Sequence, residues 1–201
     1  MQFYGLTFER LLGGFITDNR SKKIQQIFLN SSSARRKVLL EQIGIDFELV
    51  CFPVAEKVRK QELPLDYVVR MSKEKAKKGS IRGGLTIGAD TIVCVGERIF
   101  GKPLNIDDAK RTLGFLSGIE HVVLTSVAAF DGKNLEYVVS ESKVKLKKLS
   151  VYEIANYCRT EEPLDKAGSY GIQGIGGIFV QKIEGSYSGV VGLPVYETEQ
   201  L

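Results

Sequence analysis

The apolar positions of this chain recur with two periods. Short apolar runs of strand type alternate with stretches in which apolar residues return every three to four positions. Ile24 to Leu29 reads as a first strand, and Ala34 to Gln42 as a helix closed by Gly44. Phe47 to Phe52 reads as a second strand. Pro64 opens a helix over Leu65 to Lys78, with a charged outer face and Gly79 after it. Leu85 to Ile87 and Ile92 to Val95 are strand segments, and a turn at Gly96-Glu97 leads into Arg98-Ile99-Phe100. Asn105 starts a helix over Ile106 to Leu116. His121 to Phe130 and Leu135 to Leu146 are long strands joined by the hairpin signal Asp131-Gly132. Ser150 and Glu153 form a capping box for a helix ending at Cys158. Ile178 to Ile183 is a late strand, and Pro194 starts a short terminal helix. Hairpins mixed with helix-linked strands predict an α/β or α+β fold, not a strictly parallel alternation.

Composition narrows the class. The 201 residues suit one domain, or one domain with two lobes, and 43% hydrophobic residues suffice for a core. A net charge of +4, spread along the chain, is too small and too dispersed to argue for nucleic acid, but it suits a site for small polyanions. No aromatic stacking platform accompanies the basic residues. Cys51, Cys94 and Cys158 have no CxxC spacing, which suggests buried thiols in a reducing compartment. With one histidine, His121, a zinc site of His and Cys ligands is not expected; His121 reads as a structural hydrogen-bonding residue. No apolar run reaches the roughly 18 residues of a membrane span, and no secretory h-region is evident near the start. Residues 1–23 read as an extension. An amphipathic helix over Phe3 to Leu12, a tag and a mis-assigned start all fit them.

Three segments carry candidate chemistry. In Leu29-Asn30-Ser31-Ser32-Ser33-Ala34-Arg35-Arg36, hydroxyls such as those of Ser31 and Ser33 collect where a helix begins, and two guanidiniums fall on its first turn. A helix N-terminus favours anions, because its first N–H groups are unpaired and its dipole is positive there. Arginine adds bidentate phosphate donors. Ordinary helix caps and a solvated arginine pair explain the same residues equally well. Neither GxxxxGK[ST] nor GxGxxG occurs here, which disfavours a P-loop or a dinucleotide site. In Gly88-Ala89-Asp90-Thr91, a carboxylate interrupts an apolar stretch, so Asp90 is either buried and paired or aimed into a cleft. Lys102, across a predicted hairpin, is placed to face the same cleft; a structural ion pair is the alternative. Asp165-Lys166-Ala167-Gly168-Ser169-Tyr170-Gly171-Ile172-Gln173-Gly174 is a glycine-rich loop suited to wrapping a base, with Gln173 reading its edge, or else a plain surface loop. Glu56 lies in a short linker after a strand, where it suits a metal or simple exposure. Lys75 is lost among the helix charges Lys73 to Lys78.

Taken together these segments resemble the Maf family of nucleoside triphosphate pyrophosphatases. The Asn30-to-Arg36 segment looks like its S-x-S-P-R-R signature, with Ala34 in place of the usual Pro. Gly88-Ala89-Asp90-Thr91, Lys102-Pro103, Leu116-Ser117-Gly118 and His121 match its central pattern in order. The Asp165-to-Gly174 loop and Gly192-Leu193-Pro194 match its C-terminal pattern. The resemblance covers about residues 25–198, and several ordered motifs make it more specific than any one of them.

Membership implies a two-lobed fold around a long bent mixed sheet, with a substrate cleft between the lobes. It also implies hydrolysis of a nucleoside triphosphate to the monophosphate and pyrophosphate. Asp90 matches the family's proposed proton acceptor. Arg35, Thr91 and Gln173 match positions tied to substrate choice, and Ser31, Arg36, Glu56, Lys75 and Lys102 match other cleft residues. The loop form is similar to that of the dTTP/UTP branch, not the 7-methyl-GTP branch, whose loop carries an acid. Glu56 and Asp90 are then the expected ligands of Mg²⁺ or Mn²⁺, and Asp90 is equally suited to act as a base. The expectation is a cytoplasmic, metal-dependent dTTP/UTP pyrophosphatase with no nucleic-acid or membrane partner, and with a homodimer an allowed arrangement. Its rivals are a pyrophosphatase for modified purine triphosphates and a nucleotide-binding regulator of cell division with little turnover.

Overall fold

A computed structural model describes residues 26–81 and 83–201 of the chain. Ile24, Gln25 and the extension, with the alternatives weighed for it including a helix over Phe3 to Leu12, lie outside the described residues. Seven strands among the described residues form one mixed sheet in the order β2-β1-β3-β5-β6-β7, with β4 paired to β3. They are β1 Gln26–Asn30, β2 Glu48–Val50, β3 Gly84–Val95, β4 Arg98–Phe100, β5 Glu120–Phe130, β6 Leu135–Leu146 and β7 Val180–Glu184. The helices are α1 Ala34–Gln42, α2 Pro64–Lys78, α3 Ile106–Leu116, α4 Val151–Cys158, α5 Tyr187–Val191 and α6 Val195–Glu199. β1 runs parallel to both its neighbours, while the remaining pairs are antiparallel.

From β1 the chain passes through α1 to β2 on one side, then through α2 to β3 on the other. That reversal makes a crevice beyond the C-terminal end of β1, where open α/β sheets place their ligands. A second feature deepens it. One edge of β3 is paired with β5 from Thr86 to Cys94. On the other edge β1 covers Gly84 to Gly88 and β4 covers Val93 to Val95. Ala89 to Ile92 therefore have no partner strand on that edge, and the gap leaves the buried Asp90 and half-buried Thr91 bordering a cavity.

The side chains of β3 alternate strictly, as strand geometry requires. Ile87 and Ala89 join Leu29, Leu39, Leu40 and Leu193 in a core beneath α1. Ile92 and Cys94 join Tyr67, Val68 and Met71 of α2 on the opposite face. A third core gathers α3, α4, Tyr170 and Phe179 around the far half of β3, β5 and β6. Gly88 is what lets α2 lie so close to the sheet. A Cβ built there would stand 2.2 Å from the Ala76 backbone nitrogen and 2.5 Å from the Ser72 carbonyl oxygen.

Three sequence expectations need correction. The two segments Leu85 to Ile87 and Ile92 to Val95 are one continuous strand running through Asp90. The strand expected over Phe47 to Phe52 keeps only Glu48 to Val50. The late strand starts at Val180, because Ile175–Phe179 winds into a 3-10 helix first. Helix α5 carries no periodic signal long enough to read in advance.

His121 is buried, and its Nε2 lies 2.8 Å from the Tyr170 hydroxyl. Burial pushes its imidazole down from 6.5 to about 4. Between those values the unfolded chain binds a proton that the folded chain refuses, so stability must fall as pH drops. We expect a loss of about 2 kcal/mol between pH 7 and 5, before most carboxylates titrate. His121 is the only histidine, so His121→Gln should flatten this window in urea melts. An unchanged slope in that variant would assign the proton elsewhere.

Candidate active site

A cavity of about 520 Å³ opens at the gap in β3, within the range that accommodates small ligands. Ser31, Ser33, Arg35, Arg36, Glu56, Lys75, Asp90, Thr91, Lys102 and Gln173 all border it. The ten residues come from the loop after β1 and the start of α1, the loop after β2, α2, β3, the turn after β4 and the 165–174 stretch.

One wall carries two carboxylates and a lysine. Lys75 Nζ lies 2.6 Å from Asp90 Oδ1 and 2.6 Å from Glu56 Oε1. Lys75 donates a hydrogen bond to Asp90. Burial pushes the Glu56 carboxyl up, but Lys75, with Lys102 and Arg36 farther off, outweighs this and holds it below its usual range. The group carries one net negative charge. Two backbone devices fix it. The buried Asn30 amide donates to the Lys75 carbonyl at 2.8 Å and to the Phe52 carbonyl, and accepts from Phe52 N–H at 2.8 Å. Arg70 grips Glu62 with two donors at 2.5 and 2.8 Å and donates to the Lys57 carbonyl at 3.0 Å. The Glu56 loop is thus pinned beside Glu56 itself. Arg70 holds the Glu62 carboxyl down near 2.

The opposite wall begins at α1. Ser33 occupies the N-cap, but its side chain makes no capping bond. The Ser31 hydroxyl instead accepts from Ser33 N–H at 3.1 Å. First-turn N–H groups are thus left without a serine cap, as an anion site requires. The two arginines diverge. Arg36 is buried, and its Nε donates to the Gly192 carbonyl at 2.8 Å while Nη2 donates to the Thr91 hydroxyl at 3.1 Å. Burial lowers its pKa, against the pull of Asp90 and Glu56. The Thr125 hydroxyl lies 2.7 Å from the Gly189 carbonyl and 3.0 Å from Thr91 Oγ1. Its one proton goes to the carbonyl, so Thr91 donates to Thr125 and accepts from Arg36. Thr91 is therefore engaged within the protein. Arg35 reaches across the cavity to Asp165 at 3.0 Å, and Asp165 also holds Lys166. Lys102 is exposed and has no ion pair among the described residues.

Gln173 borders the cavity and is exposed, and its amide makes no hydrogen bond among the described residues. It sits in a tight turn closed by Gly174 N–H on the Gly171 carbonyl at 3.2 Å. Sequence reading missed Asn30, Glu62 and Arg70 as supports of the site, and Glu162, which accepts from the Ile175 and Gly176 N–H groups just after this turn. Lys75 had a usable signal. Val68, Met71, Ser72 and Ala76 make a buried stripe at helical spacing, and Lys75 falls on it, where a charge needs a partner.

Asp90 and Glu56 also fit a divalent cation. They are hard oxygen donors held close together with net negative charge, and Mg²⁺ commonly takes one or two carboxylates plus substrate phosphates. Among the described residues no group of three or more His, Cys, Asp or Glu forms a metal cage.

The gapped sheet, the phosphate-type helix start and the carboxylate pair define a nucleotide-processing class of site. The family model for Maf-like proteins matches residues 26–201, and the chain belongs to that family. It is 45% identical over 183 residues to a dTTP/UTP pyrophosphatase of Vibrio parahaemolyticus, covering 90% of this chain and 97% of the relative. It is 47% identical over 181 residues to one of Vibrio cholerae, covering 89% and 97%. A dTTP/UTP pyrophosphatase of Pseudoalteromonas atlantica is 45% identical over 181 residues, covering 87% and 94%.

Proposed function

We propose that this protein hydrolyses dTTP and UTP to the monophosphate and pyrophosphate. The observation that carries the reading is one cavity bordered by a glutamine amide with no hydrogen bond among the described residues, by two carboxylates held on one lysine, and by a helix start. The curated relatives named dTTP/UTP pyrophosphatase support it.

In this reading Arg35, Lys102 and the first turn of α1 receive the triphosphate. Arg35 exchanges Asp165 for phosphate oxygens. Arg36, locked by Gly192 and Thr91, holds a fixed positive charge behind them. Asp90 accepts a proton from the attacking water, whose oxygen bonds to the α-phosphorus as the bond to the bridging oxygen of pyrophosphate breaks. Lys75 holds Asp90 in position by its hydrogen bond. Glu56 and Asp90 are the residues that would hold Mg²⁺ or Mn²⁺, which neutralises phosphate charge when bound. Phosphoryl chemistry of this kind needs alignment and charge neutralisation more than covalent help. Cys94 and Cys158 are buried thiols, whereas Cys51, also expected to be buried, is exposed; all three are free, which suits a cytoplasmic setting.

Gln173 selects the base. Uracil and thymine present two carbonyl acceptors flanking an N–H donor, and a glutamine amide both donates and accepts. Cytosine replaces one carbonyl with an amino donor and loses the ring N–H, so the glutamine amide that matches uracil no longer meets it donor to acceptor. Wild-type enzyme should cleave dTTP and UTP well and CTP poorly. Gln173→Glu should lower kcat/KM for dTTP and UTP by about tenfold or more, since a carboxylate cannot donate to a carbonyl. Pyrophosphate release from a panel of triphosphates, with Mg²⁺ and with Mn²⁺, tests this. Equal values for CTP and UTP would remove the imide pocket, and activity confined to modified purine triphosphates would favour that rival.

A further inference from the structure

We infer that Glu162 and Tyr157, which lie outside the cavity, set base selectivity by fixing the turn that presents Gln173. This rests on the reading of Gln173 as the base-selecting residue. The geometry of the loop is what singles these two residues out.

The turn Gly171-Ile172-Gln173-Gly174 is gripped on both sides of the glutamine. Before it, Gly171 N–H donates to the Tyr157 hydroxyl at 3.0 Å. After it, Ile175 N–H donates to Glu162 Oε2 at 2.9 Å and Gly176 N–H to Oε1 at 3.1 Å. The two grips are one unit, because the Tyr157 hydroxyl donates to Glu162 Oε1 at 2.8 Å. The carboxylate also caps the start of the 3-10 helix Ile175–Phe179, a placement its negative charge favours. Burial raises the Glu162 carboxyl, but these donors outweigh it and hold the group ionised.

The glycines of this stretch make room for those two side chains. A Cβ at Gly174 would stand 2.5 Å from Glu162 Oε2, one at Gly171 2.8 Å from Oε1, and one at Gly176 2.6 Å from the Tyr157 hydroxyl. The loop is therefore wrapped closely around a carboxylate–phenol pair, not merely flexible. The Tyr157 ring is itself anchored, edge-on to Phe179 with centroids 5.0 Å apart. An amide that must meet a pyrimidine edge within a few tenths of an ångström needs such support. Glu162 and Tyr157 are positioning residues, since neither lines the cavity.

A merely structural role would lower activity on all nucleotides together. A positioning role changes their ratio. The test measures kcat/KM for UTP and CTP in wild type, Glu162→Gln, Tyr157→Phe, Gln173→Ala and the Glu162→Gln/Gln173→Ala double variant, with melting temperatures alongside. In Glu162→Gln one carboxylate oxygen becomes an NH₂ facing an N–H donor, so the turn loses at least one hold. We expect the UTP-to-CTP ratio to fall by about tenfold, with CTP turnover little changed. Tyr157→Phe keeps the ring and should shift the ratio in the same direction, which keeps the inference testable if Glu162→Gln folds poorly. In the Gln173→Ala background Glu162→Gln should change the ratio no further. Equal losses on UTP and CTP in both single variants, or a further ratio change in the double variant, would overturn the inference while Gln173→Ala still alters base preference. If Gln173→Ala itself leaves the ratio intact, the base-reading role of Gln173 falls first, and this inference with it.

Discussion

Asp90→Asn is expected to lower kcat about 100-fold or more, the range for a lost general base. The substitution keeps the shape of the side chain and removes its charge. Asp90 sits where β3 has no partner on one edge, with one oxygen bonded to Lys75, and the other has no donor among the described residues. That second oxygen is the one free to take a proton from water. Lys75 keeps Glu56 as a partner in the variant, so the fold should survive and a thermal melt should stay close to wild type. Turnover near the wild-type level would remove Asp90 from both candidate roles, base and metal ligand.

The second large effect is on stability. Gly88→Ala should destabilise the protein by about 3 kcal/mol or more, at the upper end of overpacking. The added methyl would meet the backbone of α2 at Ala76, Ser72 and Lys75, where no flexible side chain can give way. The helix would have to lift from β3, and Lys75 would leave Asp90 with it. Urea denaturation measures the first consequence, and activity per folded molecule the second. A cost below about 1 kcal/mol, as for an ordinary surface change, would mean that α2 does not seat on Gly88 as described.

Gly88 also shows what the sequence makes legible and what it does not. The elements around it were readable, because each has a strong local cause: a capping box at Ser150, Pro64 at a helix start, a hairpin turn at Asp131. The continuity of β3 was not, since Gly88 and Asp90 weaken the strand pattern locally and only tertiary packing overrides that. Asp90 was legible as a charge among apolar residues. Lys75 was not separable by charge from its neighbours, because the helix phase that buries it had to be compared with the stripe of Val68, Met71 and Ala76. Arg35 and Arg36 look alike in sequence, yet one crosses the cavity to Asp165 and the other is buried against Gly192. That difference comes from a partner 156 residues away along the chain for Arg36, which no local pattern encodes. The supports Asn30, Arg70 and Glu162 act through backbone carbonyls and N–H groups, and such bonds leave no pairing signature in the sequence.

The most direct test of the proposed reaction is turnover of dTTP, UTP and CTP in isotopically labelled water, with products identified by mass spectrometry. Water attack at the α-phosphorus predicts one labelled oxygen in dTMP and UMP, unlabelled pyrophosphate, and little product from CTP. Label in pyrophosphate, release of orthophosphate with a nucleoside diphosphate, or CTP turnover equal to that of UTP would contradict it.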